Sequence, residues 1–519
     1  MLKNDRCLEP VVNRTARVAI ASRVMFGVFL FCASSVATAP ASEAPTKAIH
    51  YTLEPLVGVK GLNALEVEVR FAGNRQGQST FTLPSDAIGG HERWTYLSDF
   101  EGHGVRIIAS AKDRRIFQYR PGAAVTVRYR VRSAYVENPT TGDYFAGPAI
   151  LPHWFAALGE FVFIVPEHGE LTPVTFEWKP GPTHWNCLSN LDHPSTKEPP
   201  TVAGLLASSI IASRDLKVVE RPIFGGVLRM AAVGSWNVPI DRDADLVANI
   251  ASVQRAFWGD ITGPMTVTTV ALTGPGQGNG GVGRYRGFAQ YVSAGTTPGQ
   301  QLRTVAHEHI HSWIPGRLGE MPSGNDEAAM YWFSEGFAEF YTERTLLRAG
   351  IWSLEDFIRD LNDTLAAYAA NPNNRQPNDW TSARFWSDNA TQRIPYLRGN
   401  LFAYLLDNHI RQASDHAIDL DRVIFRMRDR WVSAPTDHRP GVLENLKASY
   451  HDLLGSDDQL DALIESHLTK GAFIQLPIDM FGQCATIDPS EPALEQAPQK
   501  VRLPEMDERQ RVVCAQTLP

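Results

Sequence analysis

The sequence lacks a long hydrophobic run beyond its N-terminal segment, an excess of positive charge and any internal repeat. No apolar stretch after residue 39 is long enough for a membrane helix, which needs about 20 apolar residues. The 57 acidic residues outnumber the 49 basic ones, giving a formal net charge of −8, so neither nucleic acid nor an anionic membrane is expected as a partner. The composition is that of a globular protein, and 519 residues suggest more than one domain.

Cysteine is also scarce, with five in the chain, two of them within the first 39 residues. In an oxidising compartment Cys484 and Cys514 could bridge and hold the C-terminal segment in place. Cys187 would then be an odd thiol. The sequence leaves the connectivity open.

Residues 1–39 have the pattern of a secretory signal peptide. Basic residues precede the apolar run VMFGVFLFCASSVATA, which is too short to span a bilayer comfortably, and small residues follow it. The pattern predicts cleavage between Ala37 and Ala41 and a periplasmic or secreted protein without stable membrane insertion. The alternative is an uncleaved N-terminal anchor.

The hydrophobic pattern divides the rest of the chain into three regions. Residues 40–235 contain alternating segments such as LEVEVRF (65–71) and the apolar run EFVFIVP (160–166), which predict a β-sandwich-like domain. Helical patterns dominate residues 236–475, and residues 476–519 are rich in Pro, Glu and Gln, which predicts an extended tail. The predicted fold class is therefore α+β and multidomain.

The stretch VAHEHIHSWIPG (305–316) carries three histidines and a glutamate within five positions. Thr297 is a candidate N-cap for a helix over this stretch, with a proline in the first helical position. His307 and His311 are four residues apart, so they share a helix face, and neutral imidazoles at that spacing can reach one zinc ion. Glu308 is placed to contact a water on the metal. The alternative is a histidine-rich helix that only packs.

A second segment, MYWFSEGFAEFYTERTLLRAG (330–350), supplies further candidates. Its pattern predicts a helix with Glu335 and Glu339 on a common face. Glu335 suits a third zinc ligand, and Glu339, one turn further on, suits an acceptor that orients a ligand histidine. Gly336, unfavourable inside a helix, indicates a close approach of another element. The alternative for both glutamates is a solvated helix face.

HExxH followed by WFSEGFAEF resembles the gluzincin metallopeptidases. Within them, VAHEHIHSW, WFSEGFAEFYTERTLLRAG and IPYLRGNLFAYLLD resemble the glycyl aminopeptidase family, over residues of about 235–470. The resemblance implies a peptidase with one zinc ion per chain, acting on peptides or proteins. It also implies a thermolysin-like, mainly helical catalytic domain behind a β-rich N-terminal module.

The resemblance also singles out Tyr396. It lies in PYLRG (395–399), just before the predicted helix GNLFAYLLDNHI, where related gluzincins have tyrosine-x-lysine-glycine. Arg398 replaces the lysine and keeps its charge. By resemblance, Tyr396 and zinc would stabilise the oxyanion, while Glu308 would take a proton from the attacking water and deliver it to the leaving amine.

One family feature is missing. The family has a segment reading glycine-glycine-leucine-glutamate-histidine before the zinc helix, and its glutamate binds the substrate's amino group. In GGVGRYRG (280–287), Gly283 stands at the glutamate position and Arg284 follows. We therefore expect an aminopeptidase-like enzyme without this anchor, in which Gly281 and Gly283 offer a strand edge to the peptide and Arg284 favours a carboxylate. The alternative is a plain flexible turn.

Two other functions remain open from the sequence. One is a non-catalytic binding protein with a structural zinc ion, and the other is a zinc hydrolase of non-peptide amides. Structural zinc sites usually have four protein ligands, whereas three candidates and a suitably placed glutamate favour catalysis. Relatives often carry a PDZ domain after the catalytic helices; 48 residues follow Gly471, and no PDZ domain is expected.

Overall fold

The structure is a computed structural model, and it describes residues 48–85, 92–140, 147–181, 184–191, 200–234, 239–273, 279–293, 295–322, 324–435, 438–488 and 498–518. The predicted signal peptide, residues 1–39, lies outside the described residues, as do residues 274–278 before GGVGRYRG. No helix in the described ranges is long and apolar enough to cross a membrane.

The N-terminal region contains two sheets packed face to face. One has the strand order β11-β1-β2-β7-β4 and the other β10-β3-β6-β5. Along β2, alternate side chains such as Leu65, Val67 and Val69 are buried, because successive residues of a strand point to opposite faces. Their strands are β1 (Ile49–Gly58), β2 (Gly61–Ala72), β3 (Gln78–Thr82), β4 (Leu97–His103), β5 (Arg106–Ala111), β6 (Arg114–Gln118), β7 (Ala124–Val131), β10 (Val165–Pro166) and β11 (Val174–Trp178).

A third, smaller sheet lies between this sandwich and the rest of the molecule. Its order is β12-β13-β9-β8, with β8 (Ala149–Ile150), β9 (Trp154–Leu158), β12 (Asn186–Ser189) and β13 (Ser209–Ser213). Side chains of this sheet, such as Ile211, share a buried apolar cluster with Val270 of the sheet that follows in the chain. The third sheet therefore packs against the sheet that follows it through this cluster.

The segment EFVFIVP is an exception to the predicted strands. It contains the short helix α1 (Gly159–Val162) and only the two-residue strand β10. Residues 161–165 are all buried, so the run has no polar face. The period of a short, fully buried apolar run does not show whether the run forms a strand or a helical turn. The second short helix of this region is α2 (Val202–Leu206).

A five-stranded sheet carries the candidate site at one edge. Its order is β14-β15-β16-β18-β17, with β15, β16 and β18 parallel and β17 antiparallel to β18. The strands are β14 (Val219–Ile223), β15 (Gly226–Gly234), β16 (Met265–Leu272), β17 (Asn279–Arg284) and β18 (Gly287–Ser293). Two of them precede the domain boundary expected at residue 236. The glycine-rich stretch, for which a flexible turn was the alternative, forms the edge strand β17.

Helices make up most of the remaining chain, which confirms the α+β fold class. A large core of aromatic and aliphatic side chains, including Phe333, Phe337 and Tyr404, is buried between them. The helices are α3 (Ile240–Trp258), α4 (Pro298–Ile310), α5 (Tyr331–Arg348), α6 (Leu354–Ala370), α7 (Asn378–Ala383), α8 (Asn389–Ala413), α9 (Leu420–Ser433), α10 (Val442–Leu454), α11 (Asp458–Ile464) and α12 (Glu508–Thr517).

The C-terminal segment is packed into this helical core. It forms a small hairpin, β19 (Thr486–Asp488) and β20 (Lys500–Arg502), followed by α12. A disulfide joins Cys484 to Cys514, with the two Cα atoms 5.4 Å apart. Cys187 is not part of a disulfide.

Candidate active site

Helix α4 places His307 and Glu308 at its buried end. The helix begins with a capping box between Thr297 and Gln300 and a proline in its first turn, as the sequence predicted. It ends at Ile310, earlier than expected, but the C-cap residue His311 keeps right-handed helical angles, with φ −62° and ψ −12°. His311 therefore still lies on the same face as His307, one turn away.

Helix α5 brings Glu335 to this face, and its crossing with α8 is unusually close. A Cβ atom on Gly336 would lie 2.3 Å from the Cα of Gly399, so only glycine fits at this point. This confirms the close approach expected at Gly336. Gly399 is three residues after Tyr396 on α8, and Gly336 is next to Glu335 on α5. The crossing therefore also brings Tyr396 close to Glu335.

Three buried donor atoms converge between α4 and α5. Nε2 of His307 lies 3.0 Å from Nε2 of His311 and 3.4 Å from Oε2 of Glu335. Nε2 of His311 lies 3.8 Å from the same oxygen. Two ligands of a tetrahedral zinc ion, each about 2.0–2.2 Å from the metal, are roughly 3.3–3.5 Å apart, so this spacing fits zinc. Oε2 of Glu335 is buried and makes no hydrogen bond of normal geometry within the described residues, as suits an oxygen that binds a cation.

The second nitrogen of each imidazole lies beside an oxygen atom. Nδ1 of His311 donates to the backbone carbonyl of Ile314 at 2.8 Å. Nδ1 of His307 lies 3.1 Å from Oε1 of Glu339. Both partners hold the rings so that Nε2 faces the site, which is how ligand histidines are oriented in metal centres.

The charges around His307 are strongly coupled. Burial raises the pKa of Glu339, but Arg303 and His307 outweigh it and lower that pKa to about 2. Burial lowers the pKa of His307, but the carboxylates of Glu339 and Glu335 raise it to about 10. Without a metal, His307 therefore holds a proton, which a metal ion must displace because a ligand imidazole is neutral. Burial keeps the pKa of His311 well below its ordinary value, so His311 is neutral.

Glu308 is buried between the ligand histidines and β17. A Cβ atom on Gly281 would lie 2.6 Å from Cγ of Glu308, so the strand approaches the carboxylate through a glycine. Burial is the main cause that raises the pKa of Glu308 to about 8, with His307 opposing it and Glu335 adding to it. A carboxyl group with a pKa in this range can both accept and give up a proton near neutral pH.

The remaining predicted residues of β17 face different surroundings. A Cβ atom on Gly283 would have nothing within 4 Å, so there is open space beside the strand. Arg284, expected to face the substrate, instead donates to Oε1 of Glu160 at 3.0 Å, with its side chain buried. The expectation for Arg284 is wrong because successive strand residues point to opposite faces, and Gly281 and Gly283 occupy the face toward the site.

Tyr396 lies beside the imidazoles. Its ring is nearly parallel to that of His307, with the ring centres 6.1 Å apart. The residue is part of α8 and does not precede it, because the helix begins at Asn389 and continues through Pro395. Burial, followed by the nearby carboxylate of Glu335, raises the pKa of Tyr396 well above its ordinary value, so its hydroxyl stays protonated and can donate a hydrogen bond.

The polar cluster behind the site was not predicted from the sequence. Arg303 forms ion pairs with Glu339, with Glu343 at 3.4 Å and with Asp360 at 3.1 Å. Glu343 in turn accepts from Asn400 at 2.6 Å. Helical spacing could have found Arg303, which lies four residues before His307 on the same face. No local pattern points to the contact with Asp360, which lies on another helix.

The HExxH helix, the following glutamate helix and the three converging donors are the site of a zinc metallopeptidase. Residues 300–400 match the model of the M61 glycyl aminopeptidase family, in agreement with the resemblance noted in the sequence. No curated protein matches the sequence.

Two solved structures are similar to the chain as a whole. One is an aminopeptidase N family protein from Idiomarina loihiensis, with 17% identity and a TM-score of 0.66, covering 86% of this chain and 80% of that one. The other is a variant of an M1 zinc metallopeptidase from Deinococcus radiodurans, with 15% identity and a TM-score of 0.50, covering 84% of this chain and 97% of that one. At these identities the similarity establishes a shared fold.

Proposed function

We propose that the protein is a zinc-dependent peptidase in which His307, His311 and Glu335 hold one zinc ion. The observation that carries this proposal is the convergence of their three donor atoms, at 3.0–3.8 Å, beside Glu308. Among the described residues, this cluster contains three side chains that could bind a metal ion, whereas a structural zinc site usually has four protein ligands. The three-ligand set therefore favours a catalytic ion.

The chemistry follows from what surrounds the ligands. When bound, zinc would polarise the scissile carbonyl and lower the pKa of water from 15.7 to about 7. Glu308 would accept a proton from the attacking water and pass it to the leaving amine, a role that suits its pKa of about 8. The hydroxyl of Tyr396 would donate a hydrogen bond to the developing oxyanion.

The edge strand β17 suits an extended peptide. An edge strand has unpaired backbone N–H and C=O groups that can pair with an added strand. Gly281 and Gly283 lie on its site-facing side, where no side chain obstructs a peptide. The family match favours an aminopeptidase, but Gly283 offers no carboxylate for the substrate's amino group. The proposed enzyme is therefore aminopeptidase-like without that anchor.

We also propose that the enzyme is periplasmic or secreted. The signal-peptide pattern of residues 1–39 supports this location. The disulfide between Cys484 and Cys514 gives independent support, because stable disulfides are typical of oxidising compartments.

Zinc content and a peptide-library digest, measured on wild type and Glu308→Gln, test the peptidase proposal. We expect about one zinc ion per chain in both proteins and peptide cleavage by wild type alone. Glu444→Gln, which changes an exposed glutamate on α10, is the matched control and should cleave normally. Zinc without cleavage in wild type would favour a structural ion or a non-peptide amide substrate. Equal cleavage by Glu308→Gln would remove Glu308 from its role.

A further inference from the structure

A polar pocket of about 440 Å³ lies beside the candidate metal site, between α4, α5, α6 and α8. We call it the α8 pocket, because six of its lining residues lie on one face of that helix. Its lining residues are Arg303, Glu339, Asp360, Asp363, Thr364, Asn389, Gln392, Arg393, Tyr396, Leu397 and Asn400.

The two arginines of the pocket lie one helical turn away from residues of the candidate site. Arg303 precedes the ligand His307 by four residues on α4, and Arg393 precedes Tyr396 by three residues on α8. One helical turn advances 5.4 Å, and an extended peptide advances about 3.3–3.6 Å per residue. A peptide whose scissile bond lies at the metal would therefore reach the pocket with its next one or two residues.

Most charges in the pocket wall already have partners. Arg303 is surrounded by three carboxylates, those of Glu339, Glu343 and Asp360. Asp363 lies four residues after Arg359 on the outer face of α6, so a cation of the same helix is close to it.

Arg393 differs from these residues. Its side chain is exposed and lines the pocket, yet it has no ion pair or hydrogen bond within the described ranges. A guanidinium presents a planar set of donors that binds a carboxylate through two parallel hydrogen bonds. Arg393 is therefore a cation available to a ligand.

Tyr396 also has apolar neighbours. It packs against an apolar cluster formed by Met321, Ala328, Tyr331 and Phe385. A carboxylate placed against this cluster would lose water without gaining a cation, which is costly. A negatively charged part of a substrate is better accommodated on the Arg393 side.

We propose that the α8 pocket receives a substrate carboxylate close to the scissile bond, and that Arg393 binds it. The carboxylate is either the C-terminus of a short peptide or an acidic side chain. This inference rests on the proposed peptidase function, and it moves the carboxylate preference expected from Arg284 to a residue on α8.

The test compares three peptides that share one sequence around the cleaved bond. The first ends in a free carboxylate within two residues of that bond, the second ends there in an amide, and the third is an amide with glutamate at that position. Each is cleaved by wild type, Arg393→Gln, Arg393→Lys and, as the control, Arg422→Gln, which alters an exposed arginine on α9.

We expect wild type to favour at least one carboxylate peptide over the plain amide by roughly tenfold in kcat/KM, the size of one charge-assisted hydrogen bond. Arg393→Gln should abolish that preference by raising KM, with the amide peptide and kcat little changed. Arg393→Lys should keep part of the preference, and Arg422→Gln all of it. The peptide whose cleavage depends on Arg393 shows whether the pocket binds a C-terminal carboxylate or an acidic side chain.

Two results would overturn the inference while leaving the peptidase proposal intact. One is equal cleavage of all three peptides by wild type. The other is an Arg393→Gln enzyme that loses activity equally on all three, which would indicate a structural role. Absence of any peptide cleavage by zinc-loaded wild type would instead overturn the peptidase proposal itself.

Discussion

Glu339 links the Nδ1 atom of His307, 3.1 Å away, to the guanidinium of Arg303. One carboxylate thus orients a ligand histidine and is itself held by a cation from the same helix as that histidine. Since Asp360 fixes the other side of Arg303, the position of His307 depends on α5 and α6 as well as on α4. Zinc affinity should therefore respond to residues that do not touch the metal.

Replacing Glu339 with glutamine tests this dependence. Glutamine keeps the size of the side chain but loses the charge that balances Arg303 and supports His307. We expect zinc affinity to fall about 10–100-fold, the usual effect of losing such a partner, with activity largely restored by excess zinc. Competition with a chelator measures the affinity. Glu444→Gln serves as the control, and an unchanged affinity in Glu339→Gln would show that the contact does not support the ligand.

Tyr396→Phe tests the oxyanion role. The variant removes only the hydroxyl, while the ring keeps its packing beside His307. We expect kcat to fall about 10²–10³-fold, as when one preorganised donor is lost, with KM and zinc content nearly unchanged. Tyr96→Phe, in the N-terminal region, is the control. Normal turnover by Tyr396→Phe would assign the tyrosine a packing role.

Local pattern was enough to predict much of the site. The spacing of His307 and His311, the N-cap at Thr297 and the glycine at position 336 each depend on a few neighbouring residues, and each has the predicted geometry. Glu335 lies 24 residues after His311, so local spacing does not relate it to the histidines. Its helical spacing with Glu339 and the family resemblance were both needed to predict it as a ligand.

Sequence reasoning was less successful where the outcome depends on packing between distant segments. Arg284 was taken as a free charge, but its partner Glu160 comes from the N-terminal region, 124 residues away. The helix was predicted to begin after Tyr396, yet α8 begins at Asn389 and includes Pro395, which removes only one backbone donor. Glycine in GGVGRYRG left a flexible turn open as the alternative, but pairing with β18 makes residues 280–284 part of a strand.

The close crossing of α5 and α8 predicts that alanine destabilises the protein at position 336 but not at position 299. Gly336→Ala would force a methyl group within 2.3 Å of Gly399, so we expect a loss of about 1–3 kcal/mol through overpacking. Gly299→Ala in the first turn of α4 meets nothing within 4 Å, and alanine favours the helix, so stability should stay equal or rise by up to about 1 kcal/mol. Calorimetry should therefore show a lower Tm for Gly336→Ala only. Equal Tm values would mean that the crossing adjusts freely.

A buried acid on α3 makes stability depend on pH. Burial raises the pKa of Asp243 to about 7, although a hydrogen bond from Gln301 opposes this. Below pH 4 the carboxyl group is protonated in both folded and unfolded chains and has no effect. Between pH 4 and 7 the unfolded chain releases the proton while the folded chain keeps it, so stability falls as pH rises, and the full cost of about 4 kcal/mol remains above pH 7.

Asp243→Asn removes this titration while keeping an oxygen that can accept from Gln301. We expect the variant to be more stable than wild type, by a margin that grows from pH 5 to pH 8. Calorimetry at several pH values measures the margin as a difference in Tm. Asp458→Asn, which changes an exposed aspartate at the start of α11, should show a small and constant difference. A margin for Asp243→Asn that shrinks with rising pH would mean that the folded protein stabilises the ionised carboxylate, contrary to the effect expected from its burial.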